Sequence, residues 1–338
     1  MLDDDVRRRV LDCLLVSQRH SWDQGLTAAV LEQSGTAAAL RALVDDAVAR
    51  QLPDGRLAEL DPACAVNSGA VGELVDRVAA RTGDPELSAA VGRQQRWLQH
   101  QAPRAADGTL FHLLGSRQVW ADTVYMVLPF LAARGEPAAA VAQLTGHRAR
   151  LRDPGTGLWA ARWDEGTGAL ADARAWGTGN GWVAAGAARA VGRLPAAAAG
   201  TVAAEVRALL DACLVHRRPD GLFGDVLDDP AGPADTNVAA MLGVAALTGA
   251  AEGWLPPSYG VVGGSLLAAV CDRVDELGRV AGASAAPHFD RPGHSPEAQA
   301  FLLLADDAHR RWQRTREAGA RPAGSPGTAA PHRGAASD

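Results

Sequence analysis

At 338 residues the chain has room for two average domains, yet no internal linker divides it. Its formal charge of −6 is scattered over both signs, which excludes the basic stripe that nucleic acid or an anionic membrane requires. All 33 basic residues are arginine, so lysine nucleophile and Schiff-base chemistry are excluded as well.

The N-terminus, MLDDDVRRRVLDCLL, has no apolar core or cleavage site of a leader, and no later stretch approaches about eighteen uninterrupted apolar residues. A cytoplasmic location is expected. Helical periodicity then recurs along the chain, in two alternating sets. One set, near 4–18, 36–50, 85–100, 138–150, 199–216 and 259–276, carries most of the Arg, Asp and Glu. The other, near 22–33, 67–81, 120–134, 179–193, 236–249 and 296–308, is poor in charge and rich in Ala, Gly, Val and Leu. A helix with a charged stripe faces water, whereas one without is buried on most sides.

Related loops punctuate the series: PDGRL (Pro53 to Leu57), ADGTLF (Ala106 to Phe111), DPGTGLW (Asp153 to Trp159) and RPDGLFG (Arg218 to Gly224). Their Asp-Gly and Pro-Gly steps supply positive-φ turns, and the bulky residue that follows can tuck beneath the helices. Strand signals are weak. The pattern predicts an all-α toroid of six helical hairpins spanning 1–313, with the apolar set inside; an open superhelix of the same hairpins is the alternative. Residues 314–338, rich in Ala, Gly, Pro and Arg, are expected to form a disordered tail. The four cysteines are far apart, lack CxxC spacing and read as core residues.

In such an up-and-down array the inner helices all begin at one rim, whose backbone N–H groups and dipoles attract anions. The residues falling there include Arg19 to Gln24, Asn67 and Ser68, Trp120, Asp122 and Tyr125, Trp176, Asn180 and Trp182, Asp235 to Asn237, and His294 to Gln299. Tryptophans stack on sugar faces while amides and acids bind hydroxyls, so one carbohydrate site is expected in this mouth. Any one of these positions also reads as an N-cap or hydrophobic staple.

Four segments carry a family resemblance: RHSWDQG (Arg19 to Gly25), VWADTVYMVLPFLA (Val119 to Ala132), WGTGNGWVAAG (Trp176 to Gly186) and HSPEAQAF (His294 to Phe301). They resemble, in order, motifs of the unsaturated glycuronyl and rhamnogalacturonyl hydrolases (glycoside hydrolase families 88 and 105). The resemblance implies an (α/α)6 toroid that hydrates the C4=C5 bond of an unsaturated uronic acid at the non-reducing end of a lyase-generated oligosaccharide. It implies Asp122 as the acid that protonates C4 and then activates water at C5, with no nucleophile, metal or cofactor. Trp22, Gln24, Asn67, Trp120, Tyr125, Trp163, Arg174, Trp176, Asn180, Trp182 and Glu297 are the expected substrate-binding residues.

The chain departs from that pattern at two positions. Ala161 stands where many members carry His, and Thr178 where many carry Arg. Arg174 or Arg162 is therefore expected to supply the charge for the uronate. A further acid near the second inner helix is common among members; here the position falls on Asn67, with Asp61 outside the motif. The HFDRPGH run (His288 to His294) matches no standard metal-ligand spacing, and no metal is expected. Two other readings stay open. One is a conventional glycosidase or lyase pairing Asp122 with Asp235, Glu297 or Asp23 across the scissile bond. The other is a sugar-binding protein without turnover.

Overall fold

Ten of the thirteen residues of one early helix are buried, against two of fourteen in the helix before it, and this alternation continues through the chain. The computed structural model describes residues 1–61, 63–285 and 288–320, with backbone only for 285, 288–290, 319 and 320. The outer helices are α1 (Asp4–Ser17), α3 (Ala37–Ala49), α5 (Pro85–Arg96), α7 (Pro137–Leu151), α9 (Ala196–Leu214) and α11 (Pro257–Cys271). The inner ones are α2 (Ser21–Gln33), α4 (Gly69–Thr82), α6 (Thr123–Ala133), α8 (Gly177–Val191), α10 (Thr236–Glu252) and α12 (Pro296–Ala320). Each inner helix packs on the next, and α12 packs on α2, so the hairpins close into the expected (α/α)6 toroid rather than an open superhelix.

Sequence-local chemistry sets the helix ends. Asp3 and Asp84 cap α1 and α5 by accepting from the amides of Val6 and Leu87, at 2.8 and 3.3 Å. Gly83 and Gly253 end α4 and α10 in the left-handed conformation. The four related loops each place a glycine at positive φ, and Leu57, Leu110, Trp159 and Phe223 are buried directly after them. The last helix continues to Ala320, six residues past the expected start of the tail at Arg314. Residues 321–338 lie outside the described part.

The inner ring is tight because glycines lie where its helices meet. A Cβ on Gly25 would fall 2.5 Å from the Ala70 carbonyl carbon, on Gly69 2.2 Å from the Met126 oxygen, and on Gly186 2.5 Å from Tyr125 Cα. These close approaches draw α2, α4, α6 and α8 together. Within the barrel, Tyr125, Trp182 and Phe301 meet edge to face, with ring centroids 4.7 to 5.8 Å apart. The layer seals the middle of the toroid.

Turns from inner to outer helices are short, as at 34–36, 83–84 and 134–136, whereas after the first hairpin the outer-to-inner connections are long. The long connections collect at the N-terminal rim of the inner ring. They carry three small antiparallel sheets: β1 (Gln118–Trp120), β2 (Arg162–Asp164) and β3 (Ala169–Asp172); β4 (Phe223–Gly224) with β5 (Ala234–Asp235); and β6 (Ala281–Ala285) with β7 (His288–His294). Among the described residues, no helix is long and apolar enough to cross a membrane.

Candidate active site

Asp122 occupies the N-cap position of α6 in helical backbone geometry, and its side chain makes no capping bond. Its Oδ1 is buried, lacks a hydrogen-bond partner, and lies 3.5 Å from Nδ1 of His112. His112 also bonds the Thr123 hydroxyl at 2.9 Å and stacks on Trp120, centroids 4.4 Å apart and planes within 4°. Burial holds the imidazole below its ordinary pKa, and the nearby Asp122 only partly offsets this. Asp122 therefore faces a neutral partner, which leaves its carboxyl chemistry to whatever enters the mouth.

A second cluster forms at the start of α2. Trp22 stacks on His20, centroids 4.1 Å apart and planes within 1°, and donates its indole N–H to Glu297 Oε1 at 2.9 Å. Asp23 accepts from the backbone amides of Arg19 and His20, each at 3.0 Å. One oxygen of Asp23 and one of Glu297 are buried without partners. Burial raises both carboxyls above their ordinary range, and the negative charge of Asp23 raises Glu297 further.

The loop before α4 joins the two clusters. Glu59, 5% exposed, accepts from the Ser21 hydroxyl at 3.1 Å and from the Asp61 amide at 3.2 Å. Burial pushes its carboxyl up to about 7. Ala58 just before it is, among the described residues, the non-glycine residue with positive φ, at 49°. Further along the loop, Ala65 N donates to His112 O at 2.9 Å, tying this segment to the Asp122 side. Asn67 Oδ1 is buried without a partner at the start of α4.

The small sheet sorts the arginines. Trp120 and Arg162 are directly opposed on β1 and β2, and the guanidinium lies 5.2 Å from the Trp120 ring centroid. Arg162 also reaches Asp172 at 3.2 Å. Arg174, whose side chain is 60% exposed, makes a two-bond fork to Asp172 at 3.0 and 2.7 Å. Of the two expected cations, Arg162 is the one that lies against Trp120, two residues before Asp122.

Six expected binding residues have other positions or partners. Gln24 turns outward to Asp46 of α3, at 3.4 Å. Tyr125 and Trp182 lie in the sealing aromatic layer, each 4% exposed. Asn180 is fully buried and uses its amide on backbone: it accepts from Trp159 N and donates to Trp159 O and Trp176 O, all at 2.8 Å. Trp163 faces the side of buried Val119, opposite to Trp120, with its indole on Glu165 at 3.0 Å. Arg174 is committed to Asp172, as above. Trp176 does sit at the rim, half-buried, its ring filling the space a Cβ on Gly179 would need. That glycine makes room for an indole, and Gly181 makes room for Met241.

Asp235, one of the expected opposing acids, is consumed as a cap: it accepts from the Thr178 hydroxyl and the Asn237 amide, both at 2.9 Å, with no exposure. Thr178 thus serves this cap rather than a ligand. Ser295 and Asn237 bond each other at 3.1 Å. The side chains of His288 and Asp290 lie outside the described residues.

Sequence reasoning missed His112 and Glu59. Both lie in irregular loops, where periodicity carries no phase. The signal available for His112 was its place in FHLLGSRQVWAD, ten residues before Asp122; for Glu59 none stands out.

Comparison with known proteins gives consistent results. The model of Glycosyl Hydrolase Family 88 matches residues 12–291. The unsaturated rhamnogalacturonyl hydrolase YesR of Bacillus subtilis is 28% identical over 253 residues, 70% of either chain. Among solved structures, a possible member of the GH105 family from Salmonella enterica superposes with a TM-score of 0.80 at 18% identity, over 91% of this chain and 93% of that one. The unsaturated glucuronyl hydrolase of Bacillus sp. GL1 gives 0.63 at 14% identity, over 84% and 83%.

Proposed function

The chain belongs to glycosyl hydrolase family 88, and on that premise we propose that it removes an unsaturated uronic acid from the non-reducing end of lyase-generated oligosaccharides by hydrating the C4=C5 bond. The observation that carries this reading is the Asp122 carboxyl, unpartnered at Oδ1 beside a neutral His112 and a stacked Trp120.

In the proposed reaction the uronate enters with its carboxylate toward Arg162 and its ring against Trp120. Asp122 gives its proton to C4, and the positive charge that develops at C5 is shared by the ring oxygen. Water adds to C5 and returns a proton to the Asp122 carboxylate, which restores the acid. The product is a hemiketal, whose opening frees the neighbouring sugar. Trp22 and Glu297 hold the opposite wall, and Glu59, protonated over part of the neutral range, is available as a hydroxyl donor.

The test is absorbance. A panel of lyase-generated unsaturated disaccharides is mixed with enzyme, and loss of the ultraviolet band of the conjugated uronate is followed. Wild type is expected to abolish the band for at least one disaccharide, and Asp122→Asn to slow this by about 10³-fold. Cleavage of saturated glycosides with the band untouched would point to a two-carboxylate glycosidase instead. Binding of the disaccharide without conversion would leave a sugar-binding protein.

A further inference from the structure

A cavity lies at the other end of the toroid. It measures about 620 Å³, within the range of small-molecule sites, and rises from the C-terminal ends of the inner helices to the aromatic layer at Tyr125 and Phe301. Its wall carries Arg77, Arg189, Arg193 and Arg311 against two carboxylates, Glu32 and Glu252. Behind them is Glu73, 1% exposed, paired with Arg189 and with Arg193 at 2.7 Å. Helix C-termini favour cations, which accounts for basic residues at this end. It does not account for how they are left.

Nη2 of Arg189 is buried and has no hydrogen-bond partner. Arg193 and Arg311 are both held below the ordinary guanidinium value, first by burial and in part by neighbouring arginines, despite the carboxylates around them. Four arginines on the wall thus outnumber by one the carboxylates Glu32 and Glu252 with Glu73 behind them. Thr248 adds a hydroxyl to the wall, and Ala185, Val244 and Leu304 are apolar.

We propose that this cavity is a second ligand site, which binds a sugar-sized molecule through a carboxylate or phosphate group. The oxyanion completes the bonding of Arg189 and pairs with Arg311, and the apolar wall covers the rest of the ligand. The site is separate from the mouth, and the proposal does not depend on the reaction above.

Calorimetric titration of the full chain at low salt, with inorganic phosphate and with galacturonate, tests it. One-to-one binding of at least one of them is expected, weakened about tenfold or more by Arg311→Gln and by Arg189→Gln, and unchanged by Trp120→Ala in the mouth. Arg311 is half-exposed, so its variant reports even where Arg189→Gln fails to fold. Tighter binding of phosphate assigns a phosphate ester, and tighter binding of galacturonate a uronate; either supports the site. Absence of binding up to about 10 mM, where an affinity near 4 kcal/mol would still register, overturns it. So does binding that Trp120→Ala abolishes or that Arg311→Gln leaves intact.

Discussion

His112 is the residue that most alters the view of Asp122. It touches the acid, stacks on Trp120, and is neutral because burial outweighs its anionic neighbour. In the proposed reaction its role is positioning. Replacing it by alanine is expected to lower kcat about 10²-fold through misplacement of the acid, with the alkaline limb of the pH–rate profile unmoved. A limb that vanished would make His112 the titrating group. Arg162 and Arg174 separate in the same way: Arg162→Ala is expected to raise KM for an unsaturated disaccharide about tenfold, and Arg174→Ala to leave it unchanged. Glu59 carries a stability consequence. Its carboxyl titrates near 7 in the folded chain, so the folded state binds this proton more tightly than the unfolded one. That contribution is complete below the ordinary glutamate range and is lost as pH rises through about 7, by up to about 3 kcal/mol. Denaturant titrations from pH 4 to 8 should show the loss in wild type and a flatter dependence in Glu59→Gln.

At the scale of the helix, two glycines with different surroundings make opposite predictions. Gly69 sits where α4 meets α6, and an added Cβ would fall on the Met126 oxygen at 2.2 Å. Gly69→Ala is expected to cost about 1–3 kcal/mol, because backbone on both sides must part. Gly92 lies on outer helix α5, where the nearest neighbour of a Cβ is the movable end of Arg96 at 3.6 Å. Gly92→Ala is expected to stabilise by up to about 1 kcal/mol, since alanine is the better helix former. Urea midpoints of the two variants decide the matter. An equal effect of the two would mean that close inner-ring packing is not what those glycines serve.

Across the whole molecule, the toroid is held at one end by a charge lattice and in the middle by aromatics. Glu73 on α4 bonds Arg189 and Arg193 at the end of α8, reaching across the barrel with almost no exposure. Burial raises its carboxyl, but the three arginines around it outweigh this and keep it ionised. Glu73→Gln leaves the arginines uncompensated, and a loss of about 3–5 kcal/mol is expected in equilibrium unfolding. The ring is clasped between its first and last helices, where Arg7 of α1 bonds Asp306 and Asp307 of α12 at 2.9 and 2.8 Å.

Hairpin number, helix bounds to within about five residues except for the end of α12, which runs twelve residues past the expected 308, the inner and outer sets, and the position of Asp122 at a helix start were legible in the sequence. Each is a local property: charge density, a turn glycine, a motif within one segment. The facing of side chains on the inner helices was not. An outer helix has one wet and one dry side, which marks its rotation; an inner helix is dry all round, and successive residues turn by about 100°. Hence Gln24, Tyr125, Asn180 and Trp182, all near helix starts, read as mouth residues, while the folded chain aims them at α3, at backbone and at the barrel centre. The contacts of Asp122 were equally out of reach. His112 comes to it from the preceding loop, and strand pairing brings Arg162 onto the neighbouring Trp120; neither is written in the residues beside Asp122.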